Sequence, residues 1–213
     1  MTNESILLKP AYLELGKNLS DIILANQELP NHKIVISIAG ESGSGKSVTA
    51  KALQVALMQK GIESEMLSMD NYFKLPPKVN HLARMSNISQ VGPQEVNLEL
   101  LQLHINSFKE GINTISLPLT NYTTDSFDIQ EHSFQNAQVL IIEGTYVFTL
   151  RNTDFNIFIN RTYHQTKTAR AERNRDVMTD FVEQVLEIEH HIIKKGAEKA
   201  NLIIDSNYQI HQR

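Results

Sequence analysis

The sequence has no cysteine and no tryptophan among its 213 residues. Without cysteine, the chain cannot contain a disulfide scaffold, a thiolate zinc site or a cysteine nucleophile. It also lacks any apolar run near the roughly 18 residues that a membrane-spanning helix needs. Lys and Arg number 20 against 24 Asp and Glu, which gives a net charge of −4 and no general basic surface for nucleic acid. We therefore expect neither a nucleic-acid partner nor a membrane partner.

Length and composition are ordinary for a folded domain. Hydrophobic residues make up 41% and charged residues 21% of the chain, as in typical globular proteins. A prior of roughly 150 residues per domain predicts a single domain over residues 1–213. The N-terminal sequence MTNESILLKPAYLEL lacks the basic start of a secretory signal, so we expect a cytoplasmic protein.

Apolar periodicity predicts alternating strands and helices. Helices are predicted over residues 10–29 (ended by Pro30), 46–60, 95–110 and, with a break near Asn174, 163–195. Buried strands are predicted over residues 33–40, 64–70, 139–144, 155–160 and 201–205. Residues 71–93 have little periodicity and are interpreted as a long functional loop, and residues 118–130 as a hairpin or loop excursion. A strand, a helix and a strand within 40 residues predict a parallel sheet, and therefore an α/β fold.

The most informative segment matches the phosphate-binding loop (P-loop) pattern G-x-x-x-x-G-K-[ST] between a predicted strand and a predicted helix. Its residues are Gly40, Glu41, Ser42, Gly43, Ser44, Gly45, Lys46 and Ser47. The glycines let backbone N–H groups turn inward around phosphate oxygens, and the following helix directs its positive dipole end at the same anion. Lys46 is expected to reach the β- and γ-phosphates, and the Ser47 hydroxyl to ligate Mg²⁺. The segment and the adjoining Val48 therefore predict a site for ATP or GTP, against the simpler interpretation of a glycine-rich turn.

Two carboxylates favour a phosphotransferase among P-loop proteins. The guanine-reading and switch motifs of small GTPases and the signature of transporter ATPases are absent from the sequence. Asp70 closes the second predicted strand, where a carboxylate can accept the proton of a substrate hydroxyl and approach the metal ion. Glu143 follows the apolar run VLII, where an acid can hold Mg²⁺ through water. The alternatives are a turn or helix-capping role for Asp70 and a structural strand-end acid at Glu143.

A cationic segment follows the fourth predicted strand. Its cations within residues 167–176 are Lys167, Arg170, Arg173 and Arg175. Planar guanidinium groups stabilise the charge that spreads over a phosphoryl group during transfer. Residues 161–180 are therefore interpreted as an Arg-rich lid, with a solvated helix face as the alternative.

Five segments in order resemble the uridine kinase and phosphoribulokinase family of P-loop kinases. They are GESGSGKS (40–47), MDNYF (69–73), VLIIEG (139–144), ERNRD (172–176) and KANLIID (199–205). The resemblance implies a P-loop NTPase fold: a five-stranded parallel sheet with helices on both faces, an N-terminal helical extension (1–32), a substrate-side insertion (71–130) and a helical lid. It implies γ-phosphoryl transfer to a hydroxyl, with Asp70 as proton acceptor, Lys46 and Ser47 at the nucleotide and Mg²⁺, and Arg170, Arg173 and Arg175 closing the site.

The substrate half departs from the uridine kinase pattern. Val91 stands where the family has a ribose-binding Asp, and Thr120, Asp125 and Phe127 replace a Tyr, a His and an Arg. The acceptor is accordingly predicted to be a small hydroxylated molecule other than uridine. The residues predicted to grip it are Tyr72, Phe73, Arg84, Tyr122 and Asp125. Arg84 meets an anionic group in one interpretation and lies in solvent in the other.

Two other functions stay open at this point. A nucleotide-binding regulatory module with little or no turnover would keep the P-loop but would not need Asp70, Glu143 or the lid arginines. A structural protein with a relict P-loop is disfavoured because Lys46 and Ser47 are intact. A homo-oligomer remains an alternative to a monomer.

Overall fold

The central sheet is built from buried, mostly parallel strands. The structure, a computed structural model, describes residues 8–26, 32–168, 170 and 179–213. The strands, in chain order, are β1 Ile34–Gly40, β2 Ser64–Ser68, β3 Thr114–Asn121, β4 Ser126–Ser133, β5 Val139–Gly144, β6 Phe155–Ile159, β7 Leu202–Ile204 and β8 Ile210–Gln212. The six-stranded sheet has the order β2-β5-β1-β6-β7-β8, and β3 and β4 form a separate hairpin. The first five strands of that order are parallel, which confirms the predicted five-stranded parallel sheet.

Helices cover both faces of this sheet. They are α1 Pro10–Ala25, α2 Lys46–Gln59, α3 Pro77–Ser86, α4 Leu98–Lys109 and α5 Asp180–Ile193. All seven residues of β1 are buried, and they alternate between two apolar clusters. Ile36 and Ile38 pack with α1 and α2, whereas Val35 and Ala39 pack with α4 and the end of α5. A strand buried on both sides reads as a continuous apolar run, which is why the sequence identified β1.

Several predicted boundaries are wrong. Helix α1 ends at Ala25 rather than at residue 29, while Pro30 lies outside the described residues. Strand β2 ends at Ser68, and a 3₁₀ turn, Met69–Tyr72, carries Asp70. The predicted long helical region of residues 163–195 yields α5 over its C-terminal part, and its predicted break near Asn174 lies outside the described residues.

Residues 71–93 are not one long loop, because α3 forms their middle part. Its first residue is Pro77, a position where the missing proline N–H is no loss to a helix. Asn80 is the buried residue of α3, and the apolar side chains of Val79, Leu82 and Met85 are exposed. These apolar residues recur every three positions, so the sequence carried a helical signal for α3 that the interpretation as a loop overlooked.

The hairpin and one edge strand lie at the margins of the fold. The hairpin β3–β4 confirms the hairpin interpretation of the excursion and spans Thr114 to Ser133. Strand β8 pairs antiparallel with β7 and was not predicted, because its three residues are largely exposed and carry no alternation long enough to detect. Within the described residues, no helix has the length and apolarity needed to cross a bilayer.

Candidate active site

The segment from Gly40 to Ser47 joins the central strand β1 to α2 and forms a concave loop of backbone amides. Gly43 and Gly45 have φ values of 74° and 102°, in the left-handed region that glycine adopts without strain. Gly45 is the N-cap of α2 and offers no side chain to its first N–H groups. Those donors and the helix dipole therefore remain directed at the loop, as an anion site requires.

Lys46 extends back over this loop. Its Nζ atom donates a hydrogen bond of 3.0 Å to the backbone carbonyl of Glu41. The Lys46 side chain thus reaches from the start of α2 across the loop and places its ammonium group beside Glu41. A positive charge in this position is suited to the terminal phosphates of a nucleotide.

Glu143 is buried beside the P-loop, at the carboxyl end of β5. The β2–β5 register sets it next to Ser68, whose Oγ atom donates a 2.6 Å hydrogen bond to Glu143 Oε1. Burial and the negative charge of Asp70 raise the pKa of Glu143, and Lys46 and hydrogen bonds from Ser68 and Ser47 partly offset this. A buried carboxylate that is costly to ionise gains most from a nearby cation.

The donors available for a metal ion are Ser47, Glu143 and Asp70. Within the described part of the chain, no group of three or more His, Asp and Glu side chains is arranged to hold a metal ion by itself. Mg²⁺ characteristically keeps several waters and takes one or two protein ligands together with substrate phosphates. The residues present fit that kind of site.

Asp70 lies on the exposed side of the 3₁₀ turn that follows β2. The turn approaches β5 closely, because a Cβ atom on Gly144 would lie 2.3 Å from the Cβ of Met69. From the other side, Thr120 Oγ1 donates to the Asp70 carbonyl, and the Thr120 N–H donates to Asn71 Oδ1, each at 3.1 Å. The hairpin and the sheet together fix the backbone position of Asp70.

A cavity of about 240 Å³ opens between the P-loop, α3, the hairpin and α5, with Asp70 and Ser42 both on its wall. Its apolar wall includes Phe73, Leu75, Phe181, Val185 and Leu186. Its polar wall includes Asn80, Arg84, Thr120, Tyr122 and Glu189. A small molecule in this cavity would touch both the P-loop and Asp70.

Arg84 lies on the cavity wall but is already paired within the protein. Its Nε and Nη2 atoms donate to the two oxygens of Glu95 at 2.5 and 2.8 Å, and Nη2 donates to Glu189 Oε1 at 3.1 Å. Although burial alone lowers the pKa of Arg84, the two carboxylates raise it overall. Burial and the charge of Glu95 raise the pKa of Glu189. Arg84 therefore neither lies in solvent nor carries an uncompensated charge toward an anionic acceptor.

The other predicted substrate residues divide into two groups. Phe73 and Tyr122 line the cavity. Tyr72 does not, because it is 1% exposed and its hydroxyl is hydrogen bonded to His104 Nδ1 at 2.7 Å. The prediction for Tyr72 is wrong: the 3₁₀ turn points its ring into the core.

Asp125, at the tip of the hairpin, forms a hydrogen bond within the protein. Its Oδ1 atom accepts a 2.8 Å hydrogen bond from the backbone N–H of Lys78, so it fixes the hairpin to the start of α3. Asp125 is not among the residues that line the cavity, so its predicted substrate contact is not seen. Val91 is 4% exposed and is likewise absent from the lining.

The first turn of the predicted lid rests on the P-loop. Thr166 Oγ1 donates to the Ser42 carbonyl at 2.9 Å, and Arg170 Nη1 donates to Thr166 Oγ1 and to the Tyr163 carbonyl at 2.7 and 2.5 Å. Arg170 crosses directly above Gly43, where a Cβ atom would lie 2.7 Å from its Cγ. The structure thus brings Arg170 to the P-loop, while Arg173 and Arg175 lie outside the described residues.

The sequence analysis missed how Glu41 is used. Its carboxylate is buried and turned away from the phosphate loop, where Oε2 accepts from the Tyr163 N–H at 2.5 Å and Oε1 from His190 Nδ1 at 2.7 Å. Neither Thr166 nor His190 stands in a motif. A single threonine in a turn, or a single histidine on a helix, carries no signal of contact with a loop over 120 residues away.

Comparison with known proteins agrees with this geometry. The model of the Phosphoribulokinase / Uridine kinase family matches residues 35–207. The phosphoribulokinase of Rhodobacter spheroides has the same fold, with a TM-score of 0.61, 11% identity and coverage of 83% of this chain and 71% of that chain.

Two curated relatives have kinase names. The bifunctional alpha-galactosidase/sucrose kinase of Mediterraneibacter gnavus is 28% identical over 196 residues, which are 85% of this chain and 21% of that protein. The pantothenate kinase of Streptococcus equi subsp. zooepidemicus is 28% identical over 171 residues, which are 73% of this chain and 54% of that protein. This chain therefore spans about half, or less, of the length of these relatives.

Proposed function

This chain belongs to the Phosphoribulokinase / Uridine kinase family, and on that premise we propose that it transfers the γ-phosphoryl group of ATP or GTP to a hydroxyl of a small metabolite. The observation that carries the proposal is the shared wall of the cavity. Ser42 of the P-loop and Asp70 border the same cavity. An acceptor hydroxyl held there lies between the terminal phosphate and a carboxylate able to take its proton.

The P-loop and Lys46 would hold the nucleotide phosphates, with Ser47 and Glu143 holding Mg²⁺ directly or through water. Mg²⁺ supplies charge neutralisation on the β- and γ-phosphates when bound. Lys46 supplies a second positive charge from the opposite side of the loop. Arg170, held above Gly43 by Thr166 and the Tyr163 carbonyl, would stabilise charge on the transferred group.

Asp70 would act as the proton acceptor. The acceptor oxygen forms the new bond to the γ-phosphorus, the bond from that phosphorus to the β–γ bridging oxygen breaks, and the hydroxyl proton passes to the Asp70 carboxylate. The nucleoside diphosphate leaves with the bridging oxygen. A regulatory module with no turnover would have no use for a carboxylate on the wall of a cavity next to the P-loop.

The charges on the cavity wall support an acceptor without an anionic group. Asp70 and Glu189 both line the cavity, and Arg84 is compensated by Glu95 and Glu189. Because one Arg84 charge is shared by two carboxylates and Asp70 adds a third, these four groups are negative overall and would repel an anionic acceptor such as a sugar phosphate. Sucrose, named for one relative, is an uncharged carbohydrate whose hydroxyls suit such a wall.

The test is nucleotide consumption with Mg²⁺ across uncharged sugars, polyols, nucleosides, pantothenate, glycerate and sugar phosphates. We expect the highest kcat/KM with an uncharged polyhydroxylated acceptor. Uridine turnover at about 10⁴ M⁻¹s⁻¹ or more would contradict the prediction that the acceptor is not uridine. A higher kcat/KM for pantothenate, glycerate or a sugar phosphate than for every uncharged acceptor would contradict the inferred charge class. Nucleotide binding without consumption on any acceptor would favour the regulatory alternative.

A further inference from the structure

The strand order indicates where the nucleoside of a bound nucleotide must lie. The acceptor cavity with Asp70 lies on the side of β1 occupied by β5 and β2. The opposite side is formed by β6 and β7, whose carboxyl ends lead into Arg161 and into the turn at Asp205–Tyr208. With its γ-phosphate directed at Asp70, a nucleotide extends its nucleoside toward β6 and β7.

Helix α1 brings an aromatic side chain to the same side. A Cβ atom built on Gly45 would lie 2.8 Å from the hydroxyl oxygen of Tyr12, so the tyrosine touches the residue just before Lys46. The position of α1 is fixed by close packing, because a Cβ atom on Gly16 would lie 2.4 Å from the carbonyl oxygen of Ala52 in α2. The packing of α1 therefore holds Tyr12 beside the P-loop.

Two further side chains join Tyr12. The rings of Tyr12 and Tyr208 meet edge to face with centroids 5.0 Å apart, and the Tyr208 hydroxyl donates to the Tyr12 hydroxyl at 3.2 Å. The Arg161 guanidinium lies 5.6 Å from the Tyr208 ring centroid, and its Nη1 donates to the Tyr208 hydroxyl at 3.3 Å. The Arg161 Nε is buried without a hydrogen-bond partner among the described residues. All three side chains are half-buried, so a ligand can reach them.

Tyr208 is held in a conformation that tyrosine rarely adopts. Its φ is 63°, and its N–H donates to the Asp205 carbonyl at 3.1 Å within the β7–β8 turn. Asp205 Oδ1 also accepts from the N–H groups of Asn207 and Gln209 at 2.8 and 2.9 Å. Left-handed backbone at a bulky residue is unfavourable and persists where the surroundings impose it. The turn therefore presents the Tyr208 ring in a fixed direction.

We propose that Tyr12, Tyr208 and Arg161 form the nucleoside-binding part of the nucleotide site, with the aromatic rings against the base and Arg161 toward the base or ribose. Flat rings and a guanidinium group are suited to the faces of nucleobases. Tyr12 and Tyr208 both lie outside residues 35–207, which match the family model. Helix α1 is thereby a functional part of the site. This inference depends on the proposed function insofar as that function requires a nucleotide at the P-loop.

The experiment compares the dissociation constants of Mg·ATP and Mg·tripolyphosphate by calorimetry on the full chain. Tyr12→Ala should weaken ATP binding about fivefold or more and leave tripolyphosphate binding unchanged, because tripolyphosphate has no base or ribose. Tyr208→Gly is the second variant, since glycine accepts the positive φ without strain and the variant should fold. Leu13→Ala, at the exposed neighbour of Tyr12 on α1, is the matched control and should bind both ligands as the parent does.

The outcomes separate this inference from the proposed function. If the parent binds both ligands and the two tyrosine variants bind ATP as tightly as the parent, the nucleoside assignment is wrong while the kinase proposal stands. An equal loss for ATP and tripolyphosphate would overturn it too, because Tyr12 would then support the P-loop itself. A parent that binds neither ligand would overturn both.

Discussion

Nδ1 of His190 lies 2.7 Å from Oε1 of Glu41 and so connects the last turn of α5 to the second residue of the P-loop. The other oxygen of the same carboxylate accepts the Tyr163 N–H at the start of the lid segment. One buried carboxylate thus joins three elements that are far apart in sequence. Arg170 donates hydrogen bonds to Tyr163 and Thr166. Its position over Gly43 therefore depends on the contacts that the Glu41 carboxylate makes with Tyr163 and His190.

His190→Ala should therefore lower kcat by roughly tenfold, because misplacement of a catalytic group by a fraction of an ångström slows transfer. The Arg170→Ala loss should be smaller in the His190→Ala background than in the parent, which a double-mutant cycle of kcat measures. The matched control is His191→Ala, at the exposed neighbouring histidine. Identical kinetics for the two histidine variants, or additive effects in the cycle, would contradict the positioning role.

Lys46→Ala should abolish turnover and nucleotide binding, because it removes the positive charge that spans the P-loop. Ligands that bind only the folded state raise its melting temperature. Mg·ATP should therefore raise the melting temperature of the parent but not of the variant. The exposed Lys78 serves as the control position. An equal shift in parent and Lys46→Ala would remove the P-loop from the proposed site.

The sequence predicted the parts of this fold and site that depend on short, local patterns. The buried strands β1 and β5 are largely apolar runs, and the P-loop is a contiguous motif, whose glycines Gly40, Gly43 and Gly45 have positive φ values in the structure. The identity of Asp70 as a residue near the phosphate loop also follows from strand order alone, since it comes directly after a strand of a parallel sheet.

Contacts between distant segments could not be predicted in this way. Tyr72 stands next to Asp70 in the sequence, but the 3₁₀ turn points it into the core, and periodicity gives no information on such a turn. The pairing of Arg84 with Glu95 and Glu189 joins α3 to residues 11 and 105 positions away. Helix α3 was missed although Val79, Leu82 and Met85 have helical spacing, because the segment was interpreted as a loop from its prolines and glycine.

Asp70→Asn should lower kcat by about 10²-fold or more, as expected for loss of a general base. Its affinity for Mg·ATP should stay close to that of the parent, because the amide replaces the carboxylate with nearly the same shape. Asp128→Asn, on the exposed strand β4, is the control and should leave both quantities unchanged. Turnover of Asp70→Asn equal to the parent with the best acceptor would assign Asp70 a structural role.

Glu143 makes the stability of the metal-free protein dependent on pH. Its raised pKa means that the folded state binds this proton more tightly than the unfolded state does. The group therefore stabilises the fold below the ordinary glutamate pKa of 4.5, and that contribution is lost as the pH rises through the raised value. Glu143→Gln keeps an oxygen that can accept the Ser68 hydrogen bond and removes the group that gains or loses a proton.

Without Mg²⁺, Glu143→Gln should melt at a higher temperature than the parent at neutral pH, and this difference should disappear at pH below 4.5. For a chain of this size, a gain of 1 kcal/mol corresponds to about 2–4 °C. Added Mg·ATP should stabilise the parent more than the variant, since the variant lacks the charge proposed to hold Mg²⁺. A difference in melting temperature between parent and variant that stays the same at every pH would show that ionising Glu143 does not cost the fold stability.

Arg84→Met should destabilise the fold by about 3–5 kcal/mol, since it leaves the buried carboxylates of Glu95 and Glu189 without their cation. Burial raises the pKa of Glu189 and the charge of Arg84 lowers it, so loss of the guanidinium raises that pKa further. The variant should therefore regain stability as the pH falls and Glu189 becomes protonated. Adding Glu189→Gln should recover part of the loss at neutral pH, because one of the two uncompensated charges is removed.

The control is Arg151→Met, at an exposed arginine, which should change the free energy of unfolding little. Urea unfolding at several pH values gives the free energy of unfolding of the parent, of the single and double variants and of the control. A small loss for Arg84→Met that does not depend on pH would mean that solvent, rather than Arg84, compensates these carboxylates, and would weaken the argument for an uncharged acceptor.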